Sequence, residues 1–151
     1  MIEIKASPMF SAQLGNAAGL DGQPLERKKK ILLVDDDPQL RQLLGDRLEA
    51  GGYQVFFAAN GREGIKQAQE KNPDVVLLDL EMPEMDGLTA LAEIRKLDAA
   101  VPVIILTAHD KTTKAGEARR RGADDFLLKN NAPLHLLQAI QNALAKKRRQ
   151  E

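Results

Sequence analysis

The sequence has no cysteine. That excludes disulfides, thiolate nucleophiles and thiolate metal sites, and it suits a cytoplasmic protein. Histidine is scarce: His109 and His135 are the only two, which excludes a histidine-rich metal centre. Neither sign of charge is in excess. The 22 Lys and Arg residues balance 22 Asp and Glu, so nothing in the composition points to nucleic acid or to an anionic membrane. No apolar run approaches the roughly 20 residues that span a bilayer. A secretory signal is missing too: Glu3 sits early, and no apolar stretch of about 7–15 residues follows it. What remains is a chain of 151 residues, 43% of them apolar, enough for one ordinary core.

Residues 1–27 differ from the rest. Met1 to Lys5 has the pattern of a short strand, but Ala6 to Glu26 scatters Gly, Pro, Ser, Asn and Gln without a period. The expectation is a flexible leader, with a short docking segment as the alternative. From Lys28 the pattern is regular. Ile31 to Val34 is an apolar run of the kind buried on both faces of a parallel sheet. Asp35-Asp36-Asp37-Pro38 follows it and starts a helix marked by Leu40, Leu43, Leu44 and Leu48, which Gly51-Gly52 stops. Tyr53 to Ala59 reads as a second strand, and Asn60-Gly61 turns into a helix with Ile65 and Ala68 that ends before Pro73. Asp74 to Asp79 is a third strand, followed by a loop, Leu80 to Gly87, and a helix with Leu88, Leu91, Ile94 and Leu97. Val103 to Leu106 is the fourth strand. The helix expected around 111–121 is poor in apolar residues, with Ala115 and Ala118 set against Arg119-Arg120-Arg121. Asp125 to Leu128 is the fifth strand, and Leu134, Leu137, Ile140 and Leu144 mark a last helix. That helix runs into Lys146-Lys147-Arg148-Arg149, placed where cations complement a helix C-terminus. The tail, 148–151, is basic. Strands alternating with helices imply right-handed crossovers and a parallel sheet covered on both faces. In such sheets ligands bind beyond the carboxyl ends of the strands.

Those ends are polar out of proportion to the strands themselves. The first ends in Asp35, Asp36 and Asp37, the third in Asp79, the fourth in Thr107 with Ala108 after it, and the fifth in Lys129. A lone strand-end Asp is ordinarily a helix cap, the plain reading for Asp37. A lone Lys is ordinarily solvated, and a lone Thr reflects strand propensity. Their coincidence on one rim overturns those readings. Several carboxylates together repel unless some are protonated or a cation sits among them. Oxygen donors alone select Mg²⁺, Mn²⁺ or Ca²⁺. A carboxylate beside a metal, a lysine and a hydroxyl can attack phosphorus, giving an aspartyl phosphate.

On these residues the chain resembles the receiver domains of two-component response regulators. The matching stretches are Ile31 to Pro38 (ILLVDDDP), Val75 to Gly87 (VVLLDLEMPEMDG), Val103 to Ala108 (VIILTA), Gly122-Ala123 and Phe126 to Lys129 (FLLK). The resemblance covers 28–147. It implies a doubly wound, flavodoxin-like α/β fold of five parallel strands in the order 2-1-3-4-5. It implies that Asp79 accepts a phosphoryl group, Asp36 binds Mg²⁺ directly, Asp35 binds it mostly through water, and the Glu81 carbonyl adds a ligand. Thr107 would hydrogen-bond the phosphoryl group, Ala108 would leave room for it, Lys129 would pair with it, and Phe126 would report the state of Thr107; as a residue, Phe126 reads equally well as a core aromatic. The implied partners are a sensor histidine kinase or phosphotransfer protein and a downstream protein target, for a monomer or weak dimer. The chain would catalyse its own phosphorylation and dephosphorylation without being a metabolic enzyme. One departure stands out: the family usually has proline after the lysine, whereas Asn130 follows Lys129 and proline comes only at 133. With Glu151 so soon after the last helix, the signal is expected to leave by protein contact or by onward transfer. Two other functions compete. One is a binding module of the same fold that no longer cycles phosphate. The other is a small phosphatase, which would want a second Asp where Glu81 stands.

Overall fold

A computed structural model describes residues 27–108 and 113–150, with side chains up to Lys146. The leader before Arg27, His109, the first residues of the helix expected near 111 and the basic side chains beyond Lys146 lie outside the described residues. Five strands alternate with five helices: β1 (Lys30–Val34), α1 (Pro38–Ala50), β2 (Gln54–Ala58), α2 (Gly61–Lys71), β3 (Val75–Asp79), α3 (Gly87–Leu97), β4 (Val103–Thr107), α4 (Thr113–Arg120), β5 (Asp125–Leu128) and α5 (Ala132–Gln150). All neighbours pair in parallel, in the order β2-β1-β3-β4-β5. The chain thus has the doubly wound fold expected of it. No described helix is long and apolar enough to cross a membrane.

The continuous apolar runs are explained by two cores, one on each face of the sheet. Leu32, Val34, Val76, Leu78, Val103 and Ile105 point to the side carrying Ala68 of α2, Ala90, Leu91 and Ile94 of α3, and Ala118 of α4. The residues between them, Ile31, Leu33, Val75, Leu77, Ile104 and Leu106, point to α1 and α5. Period-two alternation of side chains makes every apolar position of β1, β3 and β4 a core position on one face or the other. Local signals set the helix ends. Asp37 accepts the N–H groups of Gln39 and Leu40 ahead of α1, and Asn60 accepts that of Glu63 ahead of α2. Asn72, in left-handed backbone with φ 49°, ends α2 before Pro73.

One helix differs from the sequence pattern. In α5 the core face is Ala132, Leu136, Ala139, Ile140 and Ala143, whereas Leu134 is 79% exposed and Leu137 is 38% exposed. The expected stripe shared only Ile140 and the edge residue Leu144 with that face. Alanines line the true stripe because their short side chains let α5 lie close to the sheet. In α4 the two alanines the sequence offers, Ala115 and Ala118, are both fully buried. Arg95 of α3 ties the lower end of this half together, donating to the carbonyls of Val101 and Gly122 and pairing with Asp124 at 2.8 Å.

Candidate functional site

Parallel strands bring their carboxyl ends to one rim, and β3, β4 and β5 lie side by side there. Asp79, the last residue of β3, has a side chain only 1% exposed. Its Oδ1 accepts the N–H of Glu81 at 3.0 Å, and its Oδ2 accepts the Lys129 ammonium at 2.9 Å. Lys129 follows β5, and its own N–H bonds the carbonyl of Thr107 at 2.9 Å, which fixes the base of the side chain. Thr107 ends β4 between them and is buried, while Ala108 beside it is exposed. Asn130 in place of proline does not move Lys129 away from Asp79, and among the described residues no peptide bond is cis.

Asp35 follows β1 directly and is fully buried. Its N–H bonds the carbonyl of Ala58 at 3.0 Å, and its Oδ1 accepts the N–H of Asp37 at 2.9 Å. Its Oδ2 is buried and, among the described residues, accepts no hydrogen bond; the Lys129 ammonium stands 3.8 Å from it. Asp36 is exposed at the rim. One carboxylate oxygen each from Asp35, Asp36 and Asp79 lies within 4.8 Å of the others. The carboxyl of the exposed Glu81 is outside that group, and Asp37 is spent on capping α1.

The electrostatics follow from this crowding. Burial pushes the Asp79 carboxyl up to about 7, against the opposing pull of the Lys129 and Glu81 hydrogen bonds, and the charge of Asp35 adds to the rise. Asp35 is raised as well, again chiefly by burial, with the Asp37 N–H and Lys129 opposing it. Burial by itself would lower Lys129, but its bond to Asp79 and the charges of Asp79, Asp35 and Asp36 raise it instead. Three carboxylates therefore share one ammonium, and a buried oxygen is left over. A small hard cation with oxygen ligands fits that donor set, because it would neutralise the surplus and satisfy Asp35 Oδ2.

The loop from Asp79 to α3 shows why the Met-Pro-Glu-Met-Asp-Gly run is needed. Met82 is buried in the core, and Met85 packs over Gly61 of α2. These two anchors hold the loop down while Glu84 takes left-handed backbone at φ 72°. Asp86 caps α3 through the N–H of Thr89 at 3.0 Å, which holds its carboxyl below the usual range. Gly87 donates to the Leu80 carbonyl at 2.9 Å, and a Cβ there would collide with the carbonyl oxygen of Asp79. The glycine thus sets the backbone that carries Asp79. Phe126 is half-buried on β5 and packs against the core shared with α2, α3 and α4. The guanidinium of Arg119 lies over its ring, a contact that no sequence pattern announced.

The family model for the response regulator receiver domain matches residues 31–141. The transcriptional regulatory protein GlrR of Escherichia coli is 46% identical over 114 residues, which are 76% of this chain but 26% of GlrR. The chain thus spans about a quarter of that relative. The chemotaxis protein CheY of Thermotoga maritima is 37% identical over 113 residues, 74% of this chain and 94% of CheY. Among solved structures, a CheY-like receiver domain protein from Methanospirillum hungatei superimposes with a TM-score of 0.79 at 28% identity, covering 83% of this chain and all of that one.

Proposed function

The chain belongs to the response regulator receiver domain family, and from that premise we propose that Asp79 takes a phosphoryl group from a histidine kinase or phosphotransfer protein in the presence of Mg²⁺. The observation that carries this reading is the arrangement at the rim: Asp79 is held by Lys129 at 2.9 Å beside a buried Asp35 oxygen that has no hydrogen-bond partner among the described residues. Asp35, Asp36, Asp79 and the Glu81 carbonyl would hold the ion, which supplies positive charge against the phosphoryl oxygens.

In the transfer, a carboxylate oxygen of Asp79 attacks phosphorus in line with the departing imidazole nitrogen of the donor. The O–P bond forms as the P–N bond breaks, and the electron pair leaves with the imidazole. Lys129, anchored through its N–H to Thr107, turns its ammonium from the carboxylate to a phosphoryl oxygen. The Glu81 N–H keeps the carboxyl group oriented. The Thr107 hydroxyl donates to another phosphoryl oxygen, and Phe126 moves toward the space it leaves. The altered α4–β5–α5 surface is what a downstream protein reads.

Intact-mass measurement after incubation with acetyl phosphate and Mg²⁺ tests the assignment. The wild type should gain one phosphoryl group and Asp79→Asn none; undiminished labelling of the variant refutes it. A chain that never labels would instead be a binding module, and one that only turns over phosphate would be a phosphatase.

A further inference from the structure

Three successive arginines stand at the end of α4 and just after it, and they are not equivalent. Arg120 and Arg121 both pair with Glu117, at 2.8 and 2.9 Å, the usual i,i+3 and i,i+4 pairs of an exposed helix face. Arg119 turns the other way. Its guanidinium carbon lies 4.3 Å from the centroid of the Phe126 ring, and it makes no ion pair among the described residues. Arg119 is exposed and Phe126 half-buried, so the guanidinium covers the ring from the solvent side while the core supports it from within. Buried Ala118, the preceding residue, fixes α4 against the sheet and so fixes where Arg119 starts.

We propose that Arg119 is a positioning residue for Phe126: it holds the ring outward in the unphosphorylated protein and has to release it before the ring can move toward Thr107. The proposal rests on the phosphoacceptor reading given above and adds to it what sets the resting state. A ring cannot keep a cation on its outer face and also move inward past the end of β4, so the contact belongs to one state only. A ligand or contact present in one of two states shifts their ratio by its own worth. For a partly exposed cation–π pair that is about two- to fivefold. Arginine suits the task because its planar group stacks on the ring, whereas lysine offers a strongly hydrated point charge.

The test is a titration of the full chain with beryllofluoride and Mg²⁺, followed by NMR at Thr107 and Phe126. Arg119→Gln should bind this phosphoryl analogue about two- to fivefold more tightly than wild type, and Arg119→Lys should fall between. Loss of a cation would by itself weaken binding of an anion, so the expected gain has the opposite sign to a general charge effect. In Phe126→Leu, which has no ring, Arg119→Gln should change nothing further. Equal or weaker binding by Arg119→Gln overturns the proposal, as does the same gain in the Phe126→Leu background. A wild type whose Thr107 and Phe126 signals ignore the analogue overturns the phosphoacceptor reading itself, and the role of Arg119 with it.

Discussion

Replacing Asp79 with asparagine should make the metal-free protein more stable. The Asp79 carboxyl has an ordinary value of 3.8 and is pushed up to about 7 in the folded chain. A raised carboxyl binds its proton more tightly folded than unfolded, so its contribution to stability is complete below about pH 4 and disappears as the pH rises through about 7. A rise of about three units at about 1.36 kcal/mol each amounts to about 4 kcal/mol, lost by about pH 8. The neutral amide of the Asp79→Asn variant carries no such penalty. The value of about 7 already contains the pull of Lys129 on the charged form, so the weaker bond of the amide to Lys129 subtracts nothing further. Lys129 itself is raised, so its share is constant across this window. The net expectation at about pH 8 is a gain of up to about 4 kcal/mol. Urea denaturation in EDTA from about pH 4 to 8 measures it. Wild type should weaken steadily up to about pH 7, and Asp79→Asn should show a shallower slope, the remainder coming from Asp35. Adding Mg²⁺ should stabilise wild type more than the variant. If Asp79→Asn is the less stable protein at the alkaline end, or keeps the wild-type slope, the crowded-carboxylate account is wrong.

A pair of glycine substitutions separates propensity from sterics. Gly116→Ala in α4, where the added carbon meets only the end of Arg120 at 3.7 Å, should stabilise by about 0.5–1 kcal/mol. Gly87→Ala, facing the Asp79 backbone, should destabilise by about 2 kcal/mol or more and slow acetyl phosphate labelling; urea midpoints and labelling rates check both. Asp86→Ala should cost about 1 kcal/mol as a lost cap. Because the Asp86 carboxyl is held below its ordinary value, the difference should be present at neutral pH and vanish as the pH falls through that lowered value, measured by thermal melts across about pH 2–7. A chain starting at Lys28 should fold and label at the full-length rate. Slower labelling would mean that residues 1–27 support the rim.

The sheet was readable because Ile31 to Val34, Val75 to Leu78 and Val103 to Leu106 are unbroken apolar runs, which only strands buried on both faces require. The rim was readable for a related reason. Asp35, Asp79, Thr107 and Lys129 each interrupt or end such a run with a group that a buried position would otherwise exclude. The phase of α5 was not readable. Leucines crowd 134, 136 and 137, and the residues that decide among them are Ala132, Ala139 and Ala143, whose small size hides their burial. Arg119 and Arg95 were illegible for another reason. Each is one arginine among several on the chain, and only the neighbouring strand or loop distinguishes it.

The rim cluster has no local precursor in the chain. Asp35, Asp79, Thr107 and Lys129 come from four different strand–helix units, and Lys129 meets Asp79 across a separation of 50 residues. No piece shorter than the stretch from Asp35 to Lys129 contains them all, and parallel pairing of this kind forms slowly because long loops must close first. A nascent, nicked or half-folded copy therefore carries an aspartate at position 79 without the lysine beside it. On the phosphoacceptor reading proposed above, competence to be charged would arrive only with docking of the last strand, and the chemistry would double as an inspection of the finished molecule.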